Sequence, residues 1–214
     1  MYVDGGYIPD GALVSAKAKG KLYELHVELE DITPRVWRRL VVPADILLCH
    51  LHELLQLVMG WTGSHVHSFE IGDRLFSARD FALEELDMLN EEEYTLEAAL
   101  GASIDQFIYE YDFSENWCHR IRVGAPMNPR SDWFYPLCVG GARAAPPEDV
   151  GGVVGYDGFL RAMRDPEHEE HANVLAWIGG PFDPEGFDLN AINRLLRFGP
   201  SAALSRLHRL HAEN

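Results

Sequence analysis

Tyr23-Glu24-Leu25-His26-Val27-Glu28-Leu29-Glu30 alternates apolar and polar side chains without a break. Successive side chains of an extended chain point to opposite faces, so the segment predicts a strand with one buried face. Asp31-Ile32-Thr33-Pro34 reads as a turn, with Pro34 removing a ladder donor, and Arg35–Val42 as the return strand, ended by Pro43. Beyond it lie Asp45, a good N-cap, and Gly60, a good helix stop. Between them Ile46, Leu47, Leu51, Leu54, Leu55, Val58 and Met59 recur at helical spacing as one broad apolar stripe. His65–Ile71 and Arg74–Ser77 flank Gly72-Asp73 as a second hairpin. The order strand, strand, helix, strand, strand predicts an α+β fold, a β-grasp-like mixed sheet packed on one central helix.

Downstream, Phe81–Glu93 is acidic and predicts a loop with a helical piece, and Thr95 caps a short helix through Leu100. Gln106–Tyr111 and Trp117–Val123 predict an added β-hairpin. Tyr135–Gly152, rich in proline and glycine, reads as a long loop. C-terminal helices are expected over Tyr156–Arg164, Glu167–Ile178 and Asn190–Phe198, the last capped by Asp188. Residues 1–20 read as a flexible leader, 21–198 as one α+β domain and 199–214 as a helical tail.

Composition narrows the function classes. The net charge is −16, from 34 Asp and Glu against 18 Lys and Arg. Most of the acidity lies after residue 80. Phosphate binding relies on clustered Lys and Arg, so nucleic acid is not an expected partner. The local exception is Arg35, Arg38 and Arg39, followed by Arg74 and Arg79. No apolar stretch of about 18 residues is present, so no membrane span is expected. The N-terminus lacks a basic start followed by an apolar run, and three scattered cysteines (Cys49, Cys118, Cys138) fit a reducing compartment, so the expected location is the cytoplasm.

Seven residues form a candidate cleft: His65, His67, Asp112, Trp117, His119, Glu148 and Asp149. His65 and His67 are two apart, which on a strand puts both imidazoles on one face. That is either a metal half-site or a pair of hydrogen-bonded histidines. Asp112, Glu115, Asn116 and His119 crowd one hairpin tip. They read as a carboxylate–imidazole group fit for general-base chemistry, or as turn residues bonding their own backbone. Pro146-Pro147-Glu148-Asp149-Val150-Gly151-Gly152 needs a rigid surface to lie on. Trp117 and His119 are expected to supply it, so that Asp112, His119, Glu148 and Asp149 line one concave surface. Dinucleotide, P-loop, nucleophile-elbow and zinc-protease motifs are all absent, so no cofactor and no catalytic residue are assigned.

Leu25–Arg39, Met59–Gly72, Tyr109–Ile121, Cys138–Gly152, Gly155–Phe159, Asp165–His168 and Phe182–Pro184 together resemble, in order, the Ri-plasmid open-reading-frame-three-like family (pRiA4b type). The resemblance implies a compact α+β domain found on plasmids and beside transposase genes, with no assigned biochemical role. Many relatives carry cysteines where this chain has Ala145 and Val150, so a thiolate metal site is not expected here. The reading that follows is a non-enzymatic interaction or accessory domain of mobile-element origin with a protein partner, its oligomeric state left open. The alternatives are a metal-assisted or acid–base hydrolase using His65, His67, Asp112 and His119, and a nucleic-acid accessory protein using Arg35, Arg38 and Arg39.

Overall fold

The computed structural model describes residues 15–79 and 87–198, together with a short antiparallel pair, β1 (Tyr2–Val3) and β2 (Gly6–Tyr7). Most of the expected leader, the start of the acidic loop at 80–86 and the expected tail at 199–214 lie outside the described residues. Within them, Ser15 and Ala16 hydrogen-bond to the backbone at Leu196 and Tyr135.

The alternating segment is strand β3 (Leu22–Leu29). Tyr23, Leu25, Val27 and Leu29 are buried, while Glu24, His26 and Glu28 face the other side, half-buried. Its antiparallel partner is β4 (Trp37–Pro43), with Leu25 opposite Leu40 and Val27 opposite Arg38. Helix α1 (Leu48–Met59) lays Leu51, Leu54, Leu55 and Val58 into the same core as the four β3 side chains. Truncating Leu54 to Ala should therefore cost about 2–5 kcal/mol in urea unfolding, and a loss under about 0.5 kcal/mol would mean the helix face is wrongly placed.

The expected cap, Asp45, does not serve. The helix starts three residues later, after an extended Leu47 with no side-chain cap bond. Leu48 N–H instead donates to the Tyr94 carbonyl, and Leu96 N–H to Ile46, so a distant segment satisfies the backbone there. Gly60 ends the helix in the left-handed region, as its position suggested.

β5 (His67–Ile71) and β6 (Arg74–Ser77) form the second hairpin, and β7 (Leu89–Asn90) runs parallel to β6. A 3-10 turn, Glu91–Glu93, precedes α2 (Leu96–Leu100), which Thr95 caps by accepting from Ala98 N–H. β8 (Gln106–Tyr111) and β9 (Trp117–Val123) form the third hairpin. β10 (Leu137–Ala142) pairs with the outer edge of β4. The eight-stranded order is β10-β4-β3-β9-β8-β5-β6-β7, a mixed sheet in an α+β fold. The β-grasp detail is not confirmed, because the third hairpin sits between the first two.

β10 corrects the expected loop over 135–152. Its glycines hide the strand pattern but serve packing: a Cβ on Gly141 would lie 2.5 Å from the Phe187 ring. α3 (Gly152–Arg164) begins four residues earlier than expected. α4 (His171–Ile178) begins four later, because 165–170 forms turns. A last helix covers 189–198, with Asp188 accepting from Ala191 N–H.

Candidate functional site

The β8–β9 turn is knotted by Asp112. Its Oδ1 accepts from the Ser114 amide at 3.0 Å, the Ser114 hydroxyl at 2.6 Å and the Glu115 amide at 3.4 Å. Asp112 and Asn116 both take left-handed backbone conformations, which Asp and Asn tolerate in turns. Burial works to raise the Asp112 pKa, but the Ser114 hydrogen bonds and the neighbouring His65 outweigh it and hold the carboxyl below its ordinary value.

Glu115 joins this tip to the proline loop. One oxygen accepts from Trp117 Nε1 at 2.8 Å and the other from Gly151 N–H at 2.6 Å. The approach is close enough that a Cβ on Gly152 would lie 2.7 Å from the Glu115 carbonyl, at a positive φ of 66°. The loop is held twice more. Trp61 Nε1 donates to Pro146 O at 2.8 Å, and Glu148 accepts from the Tyr111 hydroxyl at 2.5 Å and from Thr62 N–H at 3.0 Å. Trp61 stacks on Tyr111 at 5.1 Å and stands edge-on to His119 at 5.4 Å. The rigid surface under the loop is thus Trp61 and Tyr111, with Trp117 behind them.

His65 lies just before β5, between the tip and the loop. Its Nδ1 is 3.6 Å from Asp112 Oδ2, and its Nε2 is 3.3 Å from Asp149 Oδ1. The ring meets Tyr111 edge-on at 5.8 Å.

His67 and His119 point elsewhere. His67 opens β5 and turns inward, donating from Nε2 to Glu91 at 2.7 Å with both groups buried. It stacks on His52, centroids 3.5 Å apart and planes within 6°. Gln56 Nε2 donates to the Tyr109 hydroxyl at 2.8 Å, whose own proton faces His52 Nδ1 at 2.7 Å. Burial and the neighbouring His67 push the His52 pKa down to about 2, so its imidazole is neutral. This inner chain of Glu91, His67, His52, Tyr109 and Gln56 was not read from the sequence. The available signal was His52 and Gln56, polar residues one turn apart beside the apolar stripe. With Cys49, Glu53, His65 and Ser77, His52, His67 and Glu91 line a hollow of ≈ 400 Å³. Burial and nearby Glu91 push the Cys49 thiol up to about 11, far from a reactive thiolate.

His119 is 0% exposed, so it does not line the expected concave surface. Its Nδ1 donates to the Tyr109 carbonyl at 3.3 Å and its Nε2 has no partner. Burial pushes its pKa down to about 4. Of the expected acid–base group, only His65 and Asp112 meet. Asp149 joins them, Glu148 braces Tyr111, and Trp117 packs behind.

The supposed basic patch is not a patch. Arg38 points into the core, donating to the carbonyls of Val58, Trp37 and Ala142. A cation on the Val58 carbonyl suits the negative end of α1. Arg35 pairs with Glu28 and Arg39 with Glu24.

An α+β domain with a clasped hairpin and proline loop is the class this geometry defines. The chain belongs to the plasmid pRiA4b ORF-3-like protein family, whose profile matches residues 21–191. It is 36% identical over 171 residues to the uncharacterised protein y4hQ of Sinorhizobium fredii (strain NBRC 101917 / NGR234), covering 79% of this chain and 88% of that one. A crystal structure of a protein of unknown function, MM3350 from Methanosarcina mazei Go1, aligns with a TM-score of 0.73 at 35% identity. That alignment covers 79% of this chain and 96% of the other. Among the described residues, no helix is long and apolar enough to cross a membrane.

Proposed function

We propose that the chain is a non-enzymatic interaction domain of mobile-element origin whose partner is a basic, apolar-faced protein segment seated between α3 and α4. One observation carries the reading. Trp177 is 49% exposed at a groove of ≈ 370 Å³ between these helices, lined also by Phe159 and Val174, and Val154 of α3 is 84% exposed. An exposed aromatic side chain at an apolar groove is typical of a protein contact. The sign of the partner follows from charge. Residues 148–188 hold ten Asp and Glu against two basic residues, Arg161 and Arg164. Asp149 and Glu170 line the groove, together with Arg161. Opposite charge would steer a cationic segment to this face.

Two further observations support a binding role over catalysis or nucleic-acid contact. His67 and His119 are committed to internal hydrogen bonds, and Arg38 is spent on backbone carbonyls. The family's plasmid name supports the mobile-element origin.

The test uses a short synthetic amphipathic helix of Lys and Leu, with a Glu and Leu helix as control. Binding of the basic peptide is expected to blue-shift Trp177 emission, to weaken steeply with salt, and to fall at least about tenfold in Trp177→Ala with Val154→Ser. Equal binding by the wild type and the double variant, or no binding to the basic peptide, would sink the reading.

A further inference from the structure

We propose that His65, Asp112 and Asp149 form a binding site for a divalent transition-metal ion of the zinc type. The site shares Asp149 with the groove between α3 and α4 but rests on separate observations. The three residues come from separate segments: the loop before β5, the β8–β9 turn and the proline loop. One donor atom from each converges so that all lie within 4.8 Å of one another.

A second observation points to a cation at the same place. The Asp112 side chain is 5% exposed. Its Oδ1 is held by three donors, while Oδ2 stands 3.6 Å from His65 Nδ1, too far for a hydrogen bond between them. A carboxylate charge that is largely out of water is costly unless something positive meets it. Two carboxylates and one imidazole bring two negative charges, which a divalent ion would neutralise.

The donor chemistry selects the ion. Calcium and magnesium favour sites built from oxygen, whereas one nitrogen with two carboxylate oxygens suits zinc, cobalt or manganese. With metal–ligand distances of about 2.1 Å in a tetrahedron, donor atoms stand roughly 3.4 Å apart. The closest contacts use opposite ring nitrogens, Nδ1 at 3.6 Å from Asp112 Oδ2 and Nε2 at 3.3 Å from Asp149 Oδ1, so one carboxylate must turn for both to share an ion on one nitrogen. The Asp149 side chain is 71% exposed, so it can turn to follow the ion toward Asp112. The surrounding contacts hold the other donors in place. Tyr111 lies edge-on to the His65 ring and is itself fixed by Glu148, while the Ser114 and Glu115 bonds fix the Asp112 carboxylate. Three protein ligands leave a coordination position for water or for a donor brought by another molecule. The ion would also cross-link the hairpin tip to the proline loop.

The experiment is a calorimetric titration of the chelator-stripped full chain with zinc chloride, and separately with cobalt chloride followed by visible absorption. One ion per chain is expected. Asp149→Asn, an exposed change that leaves circular dichroism unaltered, should weaken zinc at least about 10- to 100-fold, and His65→Ala should weaken it further. Asp112→Asn keeps an oxygen for the turn and should weaken it comparably. The proposal is overturned if the wild type shows no saturable uptake of either ion. It is equally overturned if wild type, Asp149→Asn and His65→Ala bind alike.

Discussion

Between pH 6.5 and pH 4 the folded state is expected to lose roughly 3 kcal/mol through His119, and a similar amount through His52. Both imidazoles are held neutral by burial, His119 with a pKa near 4 and His52 near 2. In the unfolded chain each takes a proton at about pH 6.5. Above that pH neither state is charged and the full stability is present. As pH falls through 6.5 the unfolded state binds protons that the native state refuses, so stability drops by roughly 1.4 kcal/mol per pH unit for each ring. The His119 loss is complete near pH 4, whereas that of His52 continues toward pH 2. His119 Nε2 has no acceptor nearby, so a proton forced onto it meets no partner. Urea unfolding from pH 7 to 4.5 reads the effect directly. His119→Leu, which cannot charge, should remove about half of the slope. A midpoint that does not move over this range would refute the assignment.

Replacing Trp61 with Ala should cost about 3–5 kcal/mol, as for other large aromatic truncations in cores. The side chain is buried against Tyr111, Trp117 and His119, and its indole N–H carries the bond to Pro146. Trp61→Phe keeps the stacking and loses that bond, so it should cost only about 1–2 kcal/mol. Its main effect should be faster hydrogen exchange in residues 144–151. A cost for Trp61→Ala below about 1 kcal/mol would show that the loop and hairpin stand without it.

The α+β class was legible because two periodicities are unusually clean, the alternation of 23–30 and the helical stripe of 46–59. Strand order was not. Nothing local tells the β8–β9 hairpin to insert between β3 and β5, since that choice belongs to long-range pairing. β10 was invisible because Gly140, Gly141 and Pro136 erase the alternation, and it exists through backbone pairing to β4 and the cover of Phe187. At the site, the tip and the proline loop do meet, but through Trp61, Tyr111 and Glu115. The two-residue spacing of His65 and His67 misled because His65 precedes the strand, where alternation does not apply. His119 misled for a different reason: it alternates with Trp117 and Ile121 on the buried face of β9, but its polarity suggested a surface.

The strand order also has a consequence in time. β3 lies between β4, which follows it directly, and β9, whose first residue is made about 90 residues later. At ribosomal speeds of about 5–20 residues per second, one edge of β3 stays without its partner for roughly 4–18 s of synthesis. Throughout that interval the hairpin and α1 present an unpaired backbone edge beside a row of buried-type side chains, the configuration most prone to wrong pairing with another nascent copy. Glu24 and Glu28, with their partners Arg39 and Arg35, keep the half of that strand's alternation that does not face the core charged, and charged side chains along an open edge disfavour such pairing.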